Sequence, residues 1–302
     1  MTTAADIAYR VWGDLGKIDS LEEFAATGGS TTTVVNGNIA NRQDRPDDNY
    51  SIDATAIIVR DAGGLSAAPE GQMQRINAYN SATYTHTVDT AFTAAPASGD
   101  VVAIANADIP LREMYREINN ALVKIGEIPL VDSTLTSASN QTEYALPVAL
   151  KREDLVRVEY QGYTGDANDN QWVPISNWDV IPAAPGSTGL LILPQIVSGR
   201  TIRIVYMGVH PTITTYSSVI SEYIHPSVII PAVTKECLRW YNATTGGKSN
   251  YWLQKENEAS QDLEIALRKH PIWTPNYTPR YHVFPEMRGY HYRPELDARN
   301  TG

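Results

Sequence analysis

Three places in this sequence carry residue types that could do chemistry. The run Gly246-Gly247-Lys248-Ser249 imitates the end of a phosphate-binding loop. In such a loop, backbone N–H groups cradle the phosphates and the lysine reaches the outer ones. The full pattern needs a glycine five residues before the Gly-Lys pair, and Asn242 stands there. The residues ahead of it follow a helical pattern rather than a strand, so a turn between two helices is expected. Asp166, Asn168 and Asn170 alternate like the opening of a calcium loop. Gln171 occupies the place of the obligatory glycine and no closing glutamate follows, so a solvated hairpin loop is expected.

The third place is the set of histidines: His86, His210, His225, His270, His282 and His291. None pair at one-turn spacing on a helix. His282 and His291 stand among tyrosines, where stacking at an interface is expected rather than metal binding. Cys237 is the single cysteine, which excludes an internal disulfide and a cysteine-based metal framework. It falls in an apolar helical stretch and is expected to be buried. There is no Gly-x-Ser-x-Gly elbow. Glu153-Asp154 is a carboxylate pair, but a chain with 34 acids supplies such pairs by chance. The expectation is a protein with no catalytic residues, no cofactor and no metal, and not an enzyme.

The end of the chain has a different character. Residues 270–302 carry five prolines (Pro271, Pro275, Pro279, Pro285, Pro294) and six aromatics (Trp273, Tyr277, Tyr281, Phe284, Tyr290, Tyr292). So many prolines break both helix and central strand, while the aromatics exceed what a solvated tail carries. An arm that lays its rings on another surface fits both facts, and fully extended it would reach about 100 Å. Four arginines against three acids make the arm +1, on a chain of net charge −10. Trp273, Tyr277, Tyr281, Phe284, Tyr290 and Tyr292 are the expected anchors, with Arg280, Arg288 and Arg293 pairing acids on a partner. Stacking of the arm on single-stranded nucleic acid is disfavoured by the acidity of the whole.

These features must be held by a body of 302 residues, 42% apolar and 19% charged, enough for packed cores. No run of apolar residues is long enough for a membrane span, and the N-terminus lacks the basic and apolar regions of a signal peptide. Synthesis in a cytoplasm is the expectation. Helical spacing appears over residues 4–15 and 108–126, from Pro226 through Tyr241 with a break at Gly246-Gly247, and over about 250–269. A short helical turn is expected over 21–26. Asp108 suits an N-cap, with Pro110 in the first turn. Short alternating runs at 31–35, 54–60, 72–76, 83–88 and 101–104 predict a small barrel or sandwich. A second set at 155–160, 172–175, 190–193 and 201–206 predicts another β block, with Val156, Val158 and Tyr160 on one face.

The expected fold class is α+β: an antiparallel helical bundle with two inserted β-rich domains of barrel or sandwich type and an extended C-terminal arm. The expected parts are an N-terminal helix (1–29), a first β insertion (30–107), a central helix (108–131), a second β insertion (132–212), C-terminal helices (213–269) and the arm (270–302).

This layout resembles the head–tail connector, or adaptor, proteins of tailed bacteriophages. The resemblance is carried by Gly71-Gln72-Met73-Gln74-Arg75-Ile76 through Phe92 to Ser98-Gly99-Asp100, similar to small β modules of phage virion proteins. It is carried also by the helix at 109–126 with Pro129-Leu130-Val131-Asp132 and Tyr144-Ala145-Leu146-Pro147 after it, and by the closing helix pair and arm. The resemblance implies a structural virion protein that forms a ring homo-oligomer, commonly dodecameric. It implies that C-terminal arms dock on the portal protein, that β parts face the tail, nozzle or neighbouring subunits, and that DNA passes an acidic lumen without sequence-specific binding. No membrane is involved, and the site of action is the virion. The chain is longer than the simplest members, and the resemblance assigns no role to the first β block. Two alternatives stand beside this reading. One is another tail, baseplate or fibre-attachment part. The other is a carbohydrate-binding module, in which Trp172 and Trp178 would stack on sugars.

Overall fold

The computed structural model describes residues 2–18, 23–37, 51–64, 67–147, 150, 152–162, 171–182, 188–244 and 250–272. They fall into two compact units. One comprises Met1–Gly126 and Val209–Ile272, the other Glu127–Gly208.

The first unit opens with helix α1, Ala4–Asp14. Thr3 caps it: its hydroxyl accepts from the Asp6 amide, and the Asp6 carboxylate accepts from the Thr3 amide at 2.8 Å. Ala4, Ile7, Ala8, Val11 and Trp12 are its buried face, and the Trp12 indole N–H donates to the Ile109 carbonyl. Gly16, at φ 64, follows the end of the helix.

Seven strands come next: β1 (Glu23–Ala25), β2 (Gly28–Ser30), β3 (Thr33–Val35), β4 (Thr55–Arg60), β5 (Met73–Asn80), β6 (Thr85–Val88) and β7 (Val101–Ala105). They form one sheet in the order β1-β7-β4-β5-β6-β3-β2. Its two edges, β1 and β2, are consecutive in the chain. The Ala26 amide donates to Asp100 on the β7 side, and the Thr27 amide donates to Val35 on the β3 side. The sheet therefore closes on itself as a small antiparallel barrel, which leaves no long edge unpaired. Phe24, Val34, Ala56, Ile58, Ile76, Val88, Val102 and Ile104 fill it. At the β2–β3 hairpin a Cβ on Gly29 would stand 2.3 Å from the Thr33 carbonyl oxygen, so only glycine fits. The turn into β7 is held by Asp100, whose buried carboxylate accepts from the amides of Ala62 and Ala97, both at 2.8 Å.

Three further helices complete this unit: α2 (Leu111–Ile125), α3 (Pro226–Thr244) and α4 (Asn250–Lys269). Helix α3 is the hub, packed against α1, α2 and α4. Pro231 lies inside it, without an N–H to offer the carbonyl four residues back.

The second unit holds β8 (Glu127–Thr136), β9 (Glu143–Ala145), β10 (Leu155–Gln161), β11 (Trp172–Pro174), β12 (Asp179–Ile181), β13 (Leu190–Ile192) and β14 (Thr201–Val209). They make two sheets, β11-β10-β14-β8 and β12-β13-β9, around a core that includes Tyr144, Leu155, Val158, Trp178, Leu191, Ile202 and Ile204.

Several sequence expectations are corrected. The antiparallel helical bundle does not form. Among the described residues four α-helices stand against fourteen strands in three mostly antiparallel sheets, a mixed fold. The physical reason is where the apolar surface lies. Much of it alternates along strands and is buried inside sheets, while only α3 is surrounded by other helices. Residues 23–25 are a strand with Phe24 inward, not a helical turn. Helix α2 starts at Leu111 with Pro110 as an N-cap that makes no side-chain bond; Asp108 is engaged instead by Lys17 at 2.6 Å. In β10 Val158 is buried and Tyr160 packs against the same core, as expected, but a register shift between Leu155 and Arg157 puts Leu155 there in place of Val156.

Candidate functional site

Helix α4 is the least covered helix of the first unit. It is 20 residues long, about 30 Å at 1.5 Å per residue. Of those residues Ala259 and Ala266 alone are buried, while Tyr251 (57% exposed), Leu253 (43%) and Ile265 (49%) face outward. Trp252, Leu263 and Leu267 are half-buried. Beside α4 runs a groove of about 780 Å³, walled by α4, the early turns of α3 and the end of α1. Ile230, Pro231 and Leu238 line it from α3, and Trp252, Ala259 and Ala266 from α4. A second hollow of about 490 Å³ shares Gly13, Asp14 and Ile230 with it and continues along α1 to Tyr9 and Glu23.

The polar groups of the groove are set by its walls. The Thr234 hydroxyl is buried without a hydrogen-bond partner. Burial raises the carboxyl of Asp14 above its ordinary range, against an opposing pull from Arg10. Lys255 and Glu258 pair on the rim at 2.7 Å. No salt bridge among the described residues engages Asp14 or Asp262. The upper end is held by Lys17, whose ammonium bonds Asp108 and lies 4.7 Å from the Tyr241 ring and 5.0 Å from Trp252. The lower end is held by His225 and His270, stacked with centroids 3.9 Å apart. The His270 amide donates to the Ala266 carbonyl, and His270 lines the groove just past the end of α4.

The expected partner-binding residues Trp273, Tyr277, Arg280, Tyr281, Phe284, Arg288, Tyr290, Tyr292 and Arg293 lie outside the described residues. So do Gly246–Ser249 of the phosphate-loop imitation, the alternating Asp166, Asn168 and Asn170, and His282 and His291. Asp154 belongs to a 3-10 turn at Arg152–Asp154. Cys237 is buried between α2 and α3, and burial, with Glu117 and Glu236 nearby, pushes its thiol far above the ordinary range. Trp178 is buried in the core of the second unit, and the Arg203 guanidinium covers a face of Trp172 at 4.1 Å. Trp178 is thus not open as a sugar platform, while Trp172 is half-exposed. Among the described residues no three metal-ligating side chains converge, and no helix is long and apolar enough to cross a membrane.

The groove was not anticipated from sequence. Its walls come from distant parts of the chain, residues 13–16 and 227–270. No protein-family model matches the chain, and no curated protein matches it significantly.

Proposed function

We propose that this chain is a structural subunit that assembles into a ring as a head-to-tail connector of a tailed bacteriophage. Its arm docks on the portal, and an acidic lumen lets DNA pass. The observation that carries the proposal is α4 and its groove. Single apolar residues scattered over a surface are ordinary. A helix of 20 residues with two buried, bordering a groove of about 780 Å³, is a surface that another chain completes. The aromatic arm follows that helix directly in the sequence, and the net charge of −10 suits a channel wall that repels phosphate.

The test is the native mass of the full chain, alone and mixed with a candidate portal ring, followed by electron microscopy of the complex. A closed ring seated under the portal is the expected result. A chain that stays monomeric and passes the portal by would overturn the proposal. A trimer or hexamer located away from the portal would assign it to another part of the tail.

A further inference from the structure

We propose that the corner of the barrel formed by residues 23–30 is an acid-operated flap, released when His86 takes up a proton. The corner is the seam through which the sheet closes, and little holds it. β1 pairs with β7 and β2 with β3, over three residues each. Between those ladders the Ala26 amide donates to Asp100 at 2.7 Å and the Thr27 amide to Val35 at 2.9 Å. Of the eight residues only Phe24 and Ala26 are buried. Gly28 and Gly29 bring no side chain. In β4, by contrast, four of six residues are buried. A segment with few packed side chains and exposed backbone bonds is one that can open without the rest.

The one large apolar side chain that pins the corner to the core is Phe24, and it rests on His86. The two rings stack with centroids 6.1 Å apart and 23° between their planes. His86 stands on β6, directly across from Val34 of β3 on one side and Tyr79 of β5 on the other. Its ring nitrogens have no hydrogen-bond partner. Neither has the side-chain oxygen of Asn36, two residues on from Val34 along the same face. These buried polar atoms regain water when the corner lifts, so their desolvation weighs against the closed state.

Protonation adds to that weight in the closed state alone. An imidazolium brings two N–H donors and a charge. Among the described residues the groups facing it are uncharged: Phe24 from β1, Val34 and Asn36 from β3, and Tyr79 from β5, the one titratable side chain of the four. Burial is what lowers the His86 pKa to about 4. With the corner lifted, the ring meets water and returns to about 6.5. The closed corner is therefore favoured most above 6.5, loses ground as pH falls, and below about 4 has lost all that His86 takes from it. Lifting lays bare the edges of β7 and β3 and the ring of Phe24, surface that is covered at neutral pH.

The test is hydrogen exchange of the full chain at pH 7.5 and 4.5, in urea kept below the unfolding transition, with each rate divided by that of the unstructured sequence. The Ala26 and Thr27 amides report the corner. The Ile58 and Ile76 amides, bonded to Gln72 and Ala54, report the barrel as a whole. Ala26 and Thr27 should exchange about tenfold or more faster than Ile58 and Ile76 at both pH values, with little dependence on urea, because lifting exposes little surface. Between pH 7.5 and 4.5 their protection should fall about 70-fold, the ratio set by 6.5 and about 4. In His86→Leu and His86→Gln, neither of which takes up a proton, the fall should shrink to less than about fivefold. Corner amides that share the rates and the urea dependence of Ile58 and Ile76 would show that the corner opens only when the barrel unfolds, and would overturn the flap. A fall with pH that is missing from the wild type, or that survives in both variants, would overturn the role of His86.

Discussion

His86 makes the barrel of the first unit acid-sensitive. Its side chain sits on β6 inside the barrel, 1% exposed, with its ring 4.6 Å from that of Tyr79 and 6.1 Å from that of Phe24. Neither ring nitrogen has a hydrogen-bond partner. Burial alone lowers its pKa from 6.5 to about 4. The unfolded chain therefore binds a proton as pH falls through 6.5, and the folded barrel resists it until about 4. Above 6.5 both states are neutral and stability does not depend on this group. Between 6.5 and 4 stability is lost, and below about 4 the loss is complete. At about 1.4 kcal/mol per tenfold the full penalty is about 3 kcal/mol, of which roughly 2.5 is reached by pH 4.5. The perturbation is His86→Leu, which keeps the volume roughly constant and removes both unpaired nitrogens. The assay is urea unfolding followed by far-ultraviolet circular dichroism, at pH 7.5 and 4.5, on both proteins. Carboxylate titration is common to the two and cancels in their difference. The variant should gain about 2.5 kcal/mol on the wild type between the two pH values. A difference that stays constant within about 0.5 kcal/mol would refute the burial argument.

Other predictions follow from groups whose partners are equally well defined. Asp100→Ala removes the charged acceptor of the Ala62 and Ala97 amides and should destabilise the barrel by about 2 kcal/mol, read as faster hydrogen exchange in β4 and β7. Glu159 is buried between Arg157, at 2.8 Å, and Arg203. Glu159→Ala should cost the second unit about 3 kcal/mol in urea unfolding and alter the Trp172 fluorescence as Arg203 loses its anchor; an unchanged spectrum would count against the pairing. The Cys237 thiol, pushed up by burial, should not react with Ellman's reagent at neutral pH until the chain is unfolded.

Much of this molecule is legible locally. The stretch of helical spacing at 250–269 is helix α4 with the same bounds, because Gly246-Gly247 before it and Pro271 after it bar continuation. Cys237 is buried as its apolar neighbours require. The strands β4 and β7 sit where alternation and the Ser98-Gly99-Asp100 turn place them. Other elements depend on partners far away in the chain. The barrel closes through β1 and β2, short strands of weak pattern; β2 pairs with β3 in a local hairpin, but β1 must find β7 far along the chain. Glu159 reads as a solvent-facing residue in an alternating strand, yet it is buried because Arg203, 44 positions on, reaches it.

Composition, charge, the positions of helices and most strands, and the aromatic arm are properties of the sequence itself, since each depends on residues within a few positions of one another. Sheet rather than bundle as the dominant architecture, closure of the barrel, the core placement of His86 and the groove along α4 were decided by tertiary structure. Each needs side chains tens of residues apart to be brought within contact distance, and short-range periodicity carries no record of which distant surface will cover which face.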